Sequence, residues 1–264
     1  MFFMIISVIN HTNGDIRDED LQEAIRAINL QIERDFEPYW SLSATLRLEG
    51  KSSRKPHKFH PLDMRGDAII YIWNKSNVSE ALGFHNRNFK GIPFGFVFTE
   101  ICNDLNEPWT VSLSHEALET IGDPEANLMV MGPHPDVTEK GRFVFHCYEM
   151  CDAVQNESYT IQGIDVSNFV LPLYFTSAEE FDGRNDFLGT KYPKIKGKKS
   201  EVLKSFGVNP GGYVWYYDPS ADIKMNVFHV PNDPIAEQRL KIKDSAGETR
   251  RSARYRESLK LTKK

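Results

Sequence analysis

The order of hydrophobic and polar positions along the chain predicts an α+β protein that opens with strands and one amphipathic helix. Apolar or alternating runs predict three strands, at Phe3–Ile9, Ser43–Glu49 and Ala68–Trp73. Between the first two strands, apolar residues recur every three or four positions, at Leu21, Ile25, Ile28 and Ile32. This spacing places them on one face of a helix, which we expect over residues 18–35 and ending before Pro38.

An aromatic strand is predicted after a long polar segment. Residues 75–93 contain Gly83, Gly91 and Pro93 among polar side chains, a composition that favours a loop. Aromatic and small or aliphatic residues then alternate along Phe94–Thr99, which predicts a strand with one aromatic face and one slim face. Because proline cannot donate a hydrogen bond to a neighbouring strand, Pro93 favours either the start of a strand or a position at the edge of the sheet.

A second helix is predicted at residues 111–124, where polar and apolar positions separate cleanly. At about 100° per residue, Leu113, Ala117 and Ile121 share one side of the helix, and His115 and Glu119 lie almost opposite. We therefore expect the apolar side to face a core and the His/Glu side to face a cleft or solvent. Helix-start and helix-stop signals flank the segment, at Asn106, Pro108, Gly122 and Pro124.

Within this helix the sequence reads His-Glu-x-x-Glu, with Glu116 directly after His115 and Glu119 one turn later. The pattern is one residue short of the His-Glu-x-x-His helix, in which two imidazoles bind zinc and the intervening glutamate is the general base. The helix resembles the active-site helix of the zincin metallopeptidases, with Glu119 in place of the second histidine. Two further stretches, Glu149–Asp152 and Ile164–Pro172, are similar to zincin-like proteins, some of which occur among bacteriophage structural genes. The resemblance covers roughly residues 80–220.

The resemblance implies a zincin-like α+β fold. Residues 1–124 would form an upper lobe, with a mixed sheet, the amphipathic helix and the active-site-type helix. Residues 125–235 would form a smaller C-terminal lower lobe, and residues 236–264 a basic tail. In zincins the edge strand before the active-site helix pairs with extended substrate, which here would be the aromatic strand.

The resemblance also implies a metal site. His115 and Glu119 would be ligands, and a third carboxylate would come from Glu149 or Asp152, near the end of a strand predicted at residues 142–151. Glu116 would take the proton of a metal-bound water during attack on a peptide carbonyl. Zinc is the expected ion, and the carboxylate-rich ligand set leaves Mn²⁺ or Ca²⁺ open. Without a metal, His115 and Glu119 would be an ordinary i,i+4 pair on an exposed helix face.

Charge and composition limit the kinds of partner and the cellular compartment that the sequence predicts. The 264 residues carry a net charge of −5, but Arg239–Lys264 holds ten Lys or Arg and three Asp or Glu, which leaves −12 on residues 1–238. Contact with nucleic acid or an acidic surface is therefore expected only through the tail. No apolar run approaches the roughly 18 residues of a membrane span. Three cysteines without a repeated spacing predict reduced thiols, hence a cytoplasmic protein, or a virion protein if it is phage-encoded.

The sequence alone leaves two function classes open. One is a zinc metallopeptidase, a hydrolase that acts on a peptide or protein substrate with Glu116 as general base. The other is a catalytically inactive zincin-fold protein that binds partner proteins in a phage virion or another large assembly.

Overall fold

The computed structural model describes residues 2–50, 65–75, 82–88, 90–178, 182–193, 200–221 and 225–230. The basic tail predicted at residues 236–264 lies outside the described residues. The described residues divide into two compact units. Those within Met1–Glu125 and Glu157–Asn168 form the first unit, and those within Ala126–Asn156 and from Phe169 onward form the second.

Strands and short helices alternate through both units. The strands are β1 Phe2–His11, β2 Leu42–Glu49, β3 Ala68–Trp73, β4 Gly83–Arg87, β5 Pro93–Phe98, β6 Met129–Pro133, β7 Phe143–Cys147, β8 Ser158–Ile161, β9 Ile164–Ser167, β10 Tyr192–Pro193, β11 Ser200–Glu201, β12 Tyr213–Tyr217 and β13 Met225–His229. The α-helices are α1 Asp18–Gln31, α2 Glu37–Trp40, α3 Thr99–Asp104 and α4 Trp109–Gly122. A π-helical turn spans Ile32–Phe36, and 3₁₀ turns span Asp152–Val154 and Pro172–Phe175. Among the described helices, none has both the length and the apolar composition needed to span a bilayer.

The first unit is built on a five-stranded mixed sheet in the order β2-β1-β3-β5-β4, which confirms the predicted α+β class. The pairs β1–β2, β1–β3 and β3–β5 are parallel, and β4 is antiparallel to β5. The expectation of a loop throughout residues 75–93 is wrong, because this segment contains β4. Of the two positions predicted from Pro93, the start of a strand is confirmed, because β5 begins at Pro93. The sheet edge is wrong, because β5 lies between β3 and β4 and the edge belongs to β4.

The two faces of this sheet differ as the alternation along β5 predicted. One face carries a buried apolar and aromatic cluster, made of Ile9, Ile69, Tyr71, Phe96 and Phe98. On the other face, the register pairs His85 of β4 with Gly95 of β5 and Gly83 with Val97. The residues of β5 on the face against which α4 packs are therefore small, and a glycine lies directly opposite His85.

The predicted amphipathic helix is confirmed as α1, whose buried residues include Leu21, Ile25 and Ile28. The helical path does not end before Pro38, however. It continues through the π-helical turn into α2, where Pro38 occupies the first turn. Pro38 cannot donate a hydrogen bond to the preceding turn, which here is π-helical, with the Glu37 N–H bonded to the Ile32 carbonyl oxygen.

The hairpin β8–β9 belongs to the first unit although it follows β7 in the sequence. Its strands are joined by Gln162 and Gly163, both in the left-handed region with φ of 51° and 84°. The buried Gln31 of α1 donates to the Ser167 carbonyl oxygen at 2.8 Å and accepts from the Ser114 hydroxyl of α4 at 2.7 Å. This amide thus ties the hairpin to both long helices.

The second unit contains a four-stranded antiparallel sheet in the order β13-β12-β7-β6, and the short pair β10–β11. The strand predicted over residues 142–151 ends at Cys147, because the chain turns immediately afterwards. Glu149 therefore lies beyond the end of the strand.

Candidate metal centre

Helix α4 carries the His-Glu-x-x-Glu pattern and is buried along nearly its whole length. It packs against β4, β5 and β9, all within the first unit. The expectation that its His/Glu side faces a cleft or solvent is wrong for Glu119, and Glu116 beside it is buried as well. Glu116 is 5% exposed and Glu119 is 2% exposed. Gly122 was predicted to stop the helix as its C-terminal cap, but it is the last helical residue. The cap position is taken by Asp123, with φ of −138°.

The predicted pair on α4 is formed. His115 Nε2 lies 3.1 Å from Glu119 Oε1, and the His115 side chain retains 13% of its exposure. The interpretation of this pair as an exposed surface contact does not fit the burial of Glu119. A buried carboxylate loses its hydration, and it therefore needs a charged or hydrogen-bonding partner.

A second histidine, which no pattern in the sequence indicated, reaches the same carboxylate. His85 on β4 is 1% exposed, and its Nδ1 atom lies 3.4 Å from Glu119 Oε2 and 3.6 Å from Glu116 Oε2. Glu119 thus has an imidazole near each of its two oxygens. The signal in the sequence was weak, since His85 sits in a polar, glycine-containing segment with no extended alternation.

One donor atom from each of His85, Glu116 and Glu119 lies within 4.8 Å of the others, so the three residues could hold a metal ion. In a tetrahedral zinc site with bonds of about 2.0–2.2 Å, neighbouring donor atoms lie about 3.3–3.6 Å apart. The two contacts of His85 Nδ1 are close to that separation. They are longer than the roughly 2.7–3.2 Å that is typical of an N–H···O hydrogen bond.

The electrostatics favour an ionised Glu119. Burial alone would raise the pKa of this carboxyl group. The charge and hydrogen bond of His115, together with the neighbouring His85, outweigh burial and hold its pKa well below the usual value. The site therefore presents a buried carboxylate anion, which is the form that binds a cation.

A close approach of backbone to side chain shapes the cluster. A Cβ atom at Gly83 would lie 2.8 Å from both Glu116 Oε1 and the carbonyl oxygen of Phe96. Glu116 can therefore lie against β4 only because residue 83 has no side chain. Gly83 and His85 stand on the same face of β4, so both Glu116 oxygens face this strand.

The two candidates for the third ligand lie in the second unit. Asp152 is buried and accepts a hydrogen bond from the Tyr213 hydroxyl. Glu149 and Asp152 also line a narrow pocket of that unit beside His146 and Tyr174. The role of either carboxylate as a ligand of the α4 ion stays a prediction.

Comparison of the chain with protein-family models, curated proteins and solved structures found no match in any of the three sets. The function is therefore inferred from the residues themselves.

Proposed function

We propose that this chain is a zincin-like protein that binds a divalent metal ion through helix α4. The observation that carries the proposal is the burial of Glu116 and Glu119 beside imidazole groups, with His115 at 3.1 Å from Glu119. Buried carboxylates in proteins are paired or bind metals, and a dication would balance these two negative charges. The mixed sheet, which precedes α4 in the chain, supports the zincin-like assignment.

Zinc is the ion that this site favours. Imidazole nitrogen is a good ligand for zinc and a poor one for Ca²⁺, which takes about six to eight oxygen ligands. Mn²⁺ accepts carboxylates readily and is the second choice. In the first unit, His115 and Glu119 are the ligands that the family resemblance implies.

The activity that the resemblance implies is peptide hydrolysis. A bound zinc ion would supply Lewis-acid activation of a peptide carbonyl and a more acidic water. Glu116 would then accept the proton of the attacking water. An extended peptide would pair with an edge strand, and in this sheet the edge beside α4 is β4 rather than the aromatic strand β5.

The burial of Glu116 favours the second candidate function, an inactive zincin-fold protein that serves an assembly. A general base must reach a water molecule and a substrate, but Glu116 packs against Gly83 and is 5% exposed. In that role the metal ion would stabilise the fold, and partner proteins would bind elsewhere on the surface.

Metal content tests the proposal directly. We expect purified full-length protein to contain about one zinc or manganese ion per chain by elemental analysis, and Glu119→Gln to lose it. The control is Glu157→Gln, which changes a buried glutamate of the same unit that accepts a hydrogen bond from Asn168. Wild-type protein that takes up no divalent ion after zinc or manganese is added would refute the proposal.

Cleavage of an unfolded protein by metal-loaded wild type and Glu116→Gln separates the two functions. A peptidase whose base is Glu116 should keep its metal in the variant and lose at least about 100-fold in rate. Absence of cleavage by metal-loaded wild type would leave the assembly role as the function of the site.

A further inference from the structure

We propose that His85 is a metal ligand, and that the ion is held by His85, Glu116 and Glu119 as a cross-link between strand β4 and helix α4. The inference rests on the metal binding proposed above and specifies its ligands. Glu116 is then a ligand instead of a general base, and the ion is structural. The site takes a divalent transition-metal ion such as Zn²⁺.

The positions of the donor atoms suit a metal ion. His85 Nδ1 lies 3.4 Å from Glu119 Oε2 and 3.6 Å from Glu116 Oε2, and all three donors fall within 4.8 Å of one another. The two distances from His85 match the donor separations of about 3.3–3.6 Å found around tetrahedral zinc, and the carboxylate oxygens need only approach each other to within that distance. Glu116 and Glu119 are three residues apart on one helix, so their carboxylates project from neighbouring positions of α4.

Burial of the three side chains also favours a bound dication. His85, Glu116 and Glu119 are each at least 95% buried, so both carboxylates have lost most of their water. A divalent cation would balance both carboxylates and leave His85 neutral, whereas without it the balance would require both His85 and the largely buried His115 to be protonated. The burial of the three side chains favours a structural ion, and with only three protein ligands its fourth coordination position would take a water molecule.

The shape of β4 fits the same three residues. Gly83 and His85 lie two residues apart, so they occupy the same face of the strand. Gly83 allows Glu116 to approach the strand, with its Oε1 atom 2.8 Å from the position that a Cβ would take. The opposite residue in β5 is Gly95, where a Cβ would lie 3.2 Å from the Phe84 carbonyl oxygen and 3.3 Å from the Ile70 side chain, so β4 and β5 pack closely beside His85. The absence of a side chain at residue 83 thus allows the Glu116 carboxylate to lie against the same strand that carries His85.

Metal titration of the full chain tests the inference. Wild type, His85→Gln and His146→Gln are stripped with a chelator and titrated with Zn²⁺ against a chromophoric competitor. His146 is the matched control, because it is also 1% exposed but lies in the second unit, with its Nε2 atom 2.8 Å from the Pro133 carbonyl oxygen. We expect His85→Gln to lose at least about 100-fold in zinc affinity, and His146→Gln to match wild type.

A second variant covers the case in which His85→Gln fails to fold. His85→Cys keeps a zinc ligand, so we expect it to bind Co²⁺ and to add a thiolate-to-cobalt charge-transfer absorption that the Co²⁺-loaded wild type lacks. Wild-type zinc affinity in His85→Gln, or Co²⁺ binding by His85→Cys without the new absorption, would overturn the inference and leave the proposed function standing. A wild type that binds neither metal would overturn both.

Discussion

The substitution Gly83→Ala tests the contact between β4 and α4 on which the candidate site depends. The added methyl group would lie 2.8 Å from two oxygens, one in the Phe96 backbone and one in the Glu116 side chain. Ordinary van der Waals contact requires about 3.5 Å, so the shortfall is about 0.7 Å. The Glu116 side chain can rotate away, but the Phe96 carbonyl belongs to the paired strand β5 and cannot move alone.

The expected cost follows from this geometry. Overpacking of a buried position typically destabilises a protein by about 1–3 kcal/mol. For a chain of this size, each kcal/mol lowers the melting temperature by about 2–4 °C, so we expect a fall of about 2–12 °C. Displacement of the Glu116 carboxylate should also weaken zinc binding.

Differential scanning calorimetry of metal-free protein and zinc titration provide the measurements. Gly50→Ala is the matched control, because a Cβ at Gly50 meets nothing within 4 Å. Any gain in stability from reduced flexibility of the unfolded chain is similar in the two variants. The difference between their melting temperatures therefore reports the steric clash of the added methyl group at residue 83. Adding Glu116→Ala should relieve part of the cost, since one of the two close oxygens is then gone. If Gly83→Ala has the same melting temperature as Gly50→Ala and binds zinc like wild type, the packing argument is refuted.

Three further predictions concern the rest of the chain. Gln31→Leu should cost about 2–4 kcal/mol in urea unfolding, because the Ser167 carbonyl and the Ser114 hydroxyl lose their partner in a buried site; a cost no larger than that of the exposed control Gln22→Leu would contradict this. Burial lowers the pKa of His146 below its usual 6.5, so the unfolded chain binds the proton more readily and stability should fall as the pH drops below about 6.5. His146→Gln should flatten that slope in pH-dependent unfolding, and an unchanged slope would count against it. Deletion of residues 239–264, which lie outside the described residues, should leave the melting temperature nearly unchanged and weaken salt-sensitive binding to heparin; a large fall in melting temperature would place the tail in the core instead.

Local sequence patterns were sufficient to predict the strands and helices whose buried residues lie within one continuous segment of the chain. The strands β1, β2, β3 and β5 and the helix α1 were predicted because their apolar residues repeat with the period of the element itself. The alternation of phenylalanines along β5 also predicted which face of the sheet would be slim. The His115–Glu119 contact was predictable because residues four apart on a helix are neighbours in any fold.

Other features depend on pairing between distant segments, which no local period encodes. The five-residue strand β4 has mixed polar and apolar composition, and it is a strand because β5 supplies its hydrogen bonds. The same pairing brings His85 to Glu116 and Glu119, more than 30 positions later in the chain. The hairpin β8–β9 joins the first unit through the Gln31 amide, again a long-range contact. The sequence by itself therefore determined the helix that carries the two glutamates and its histidine neighbour. Tertiary structure alone decided that this face is buried and that a second histidine lies against it, because burial and approach depend on which strand packs beside the helix.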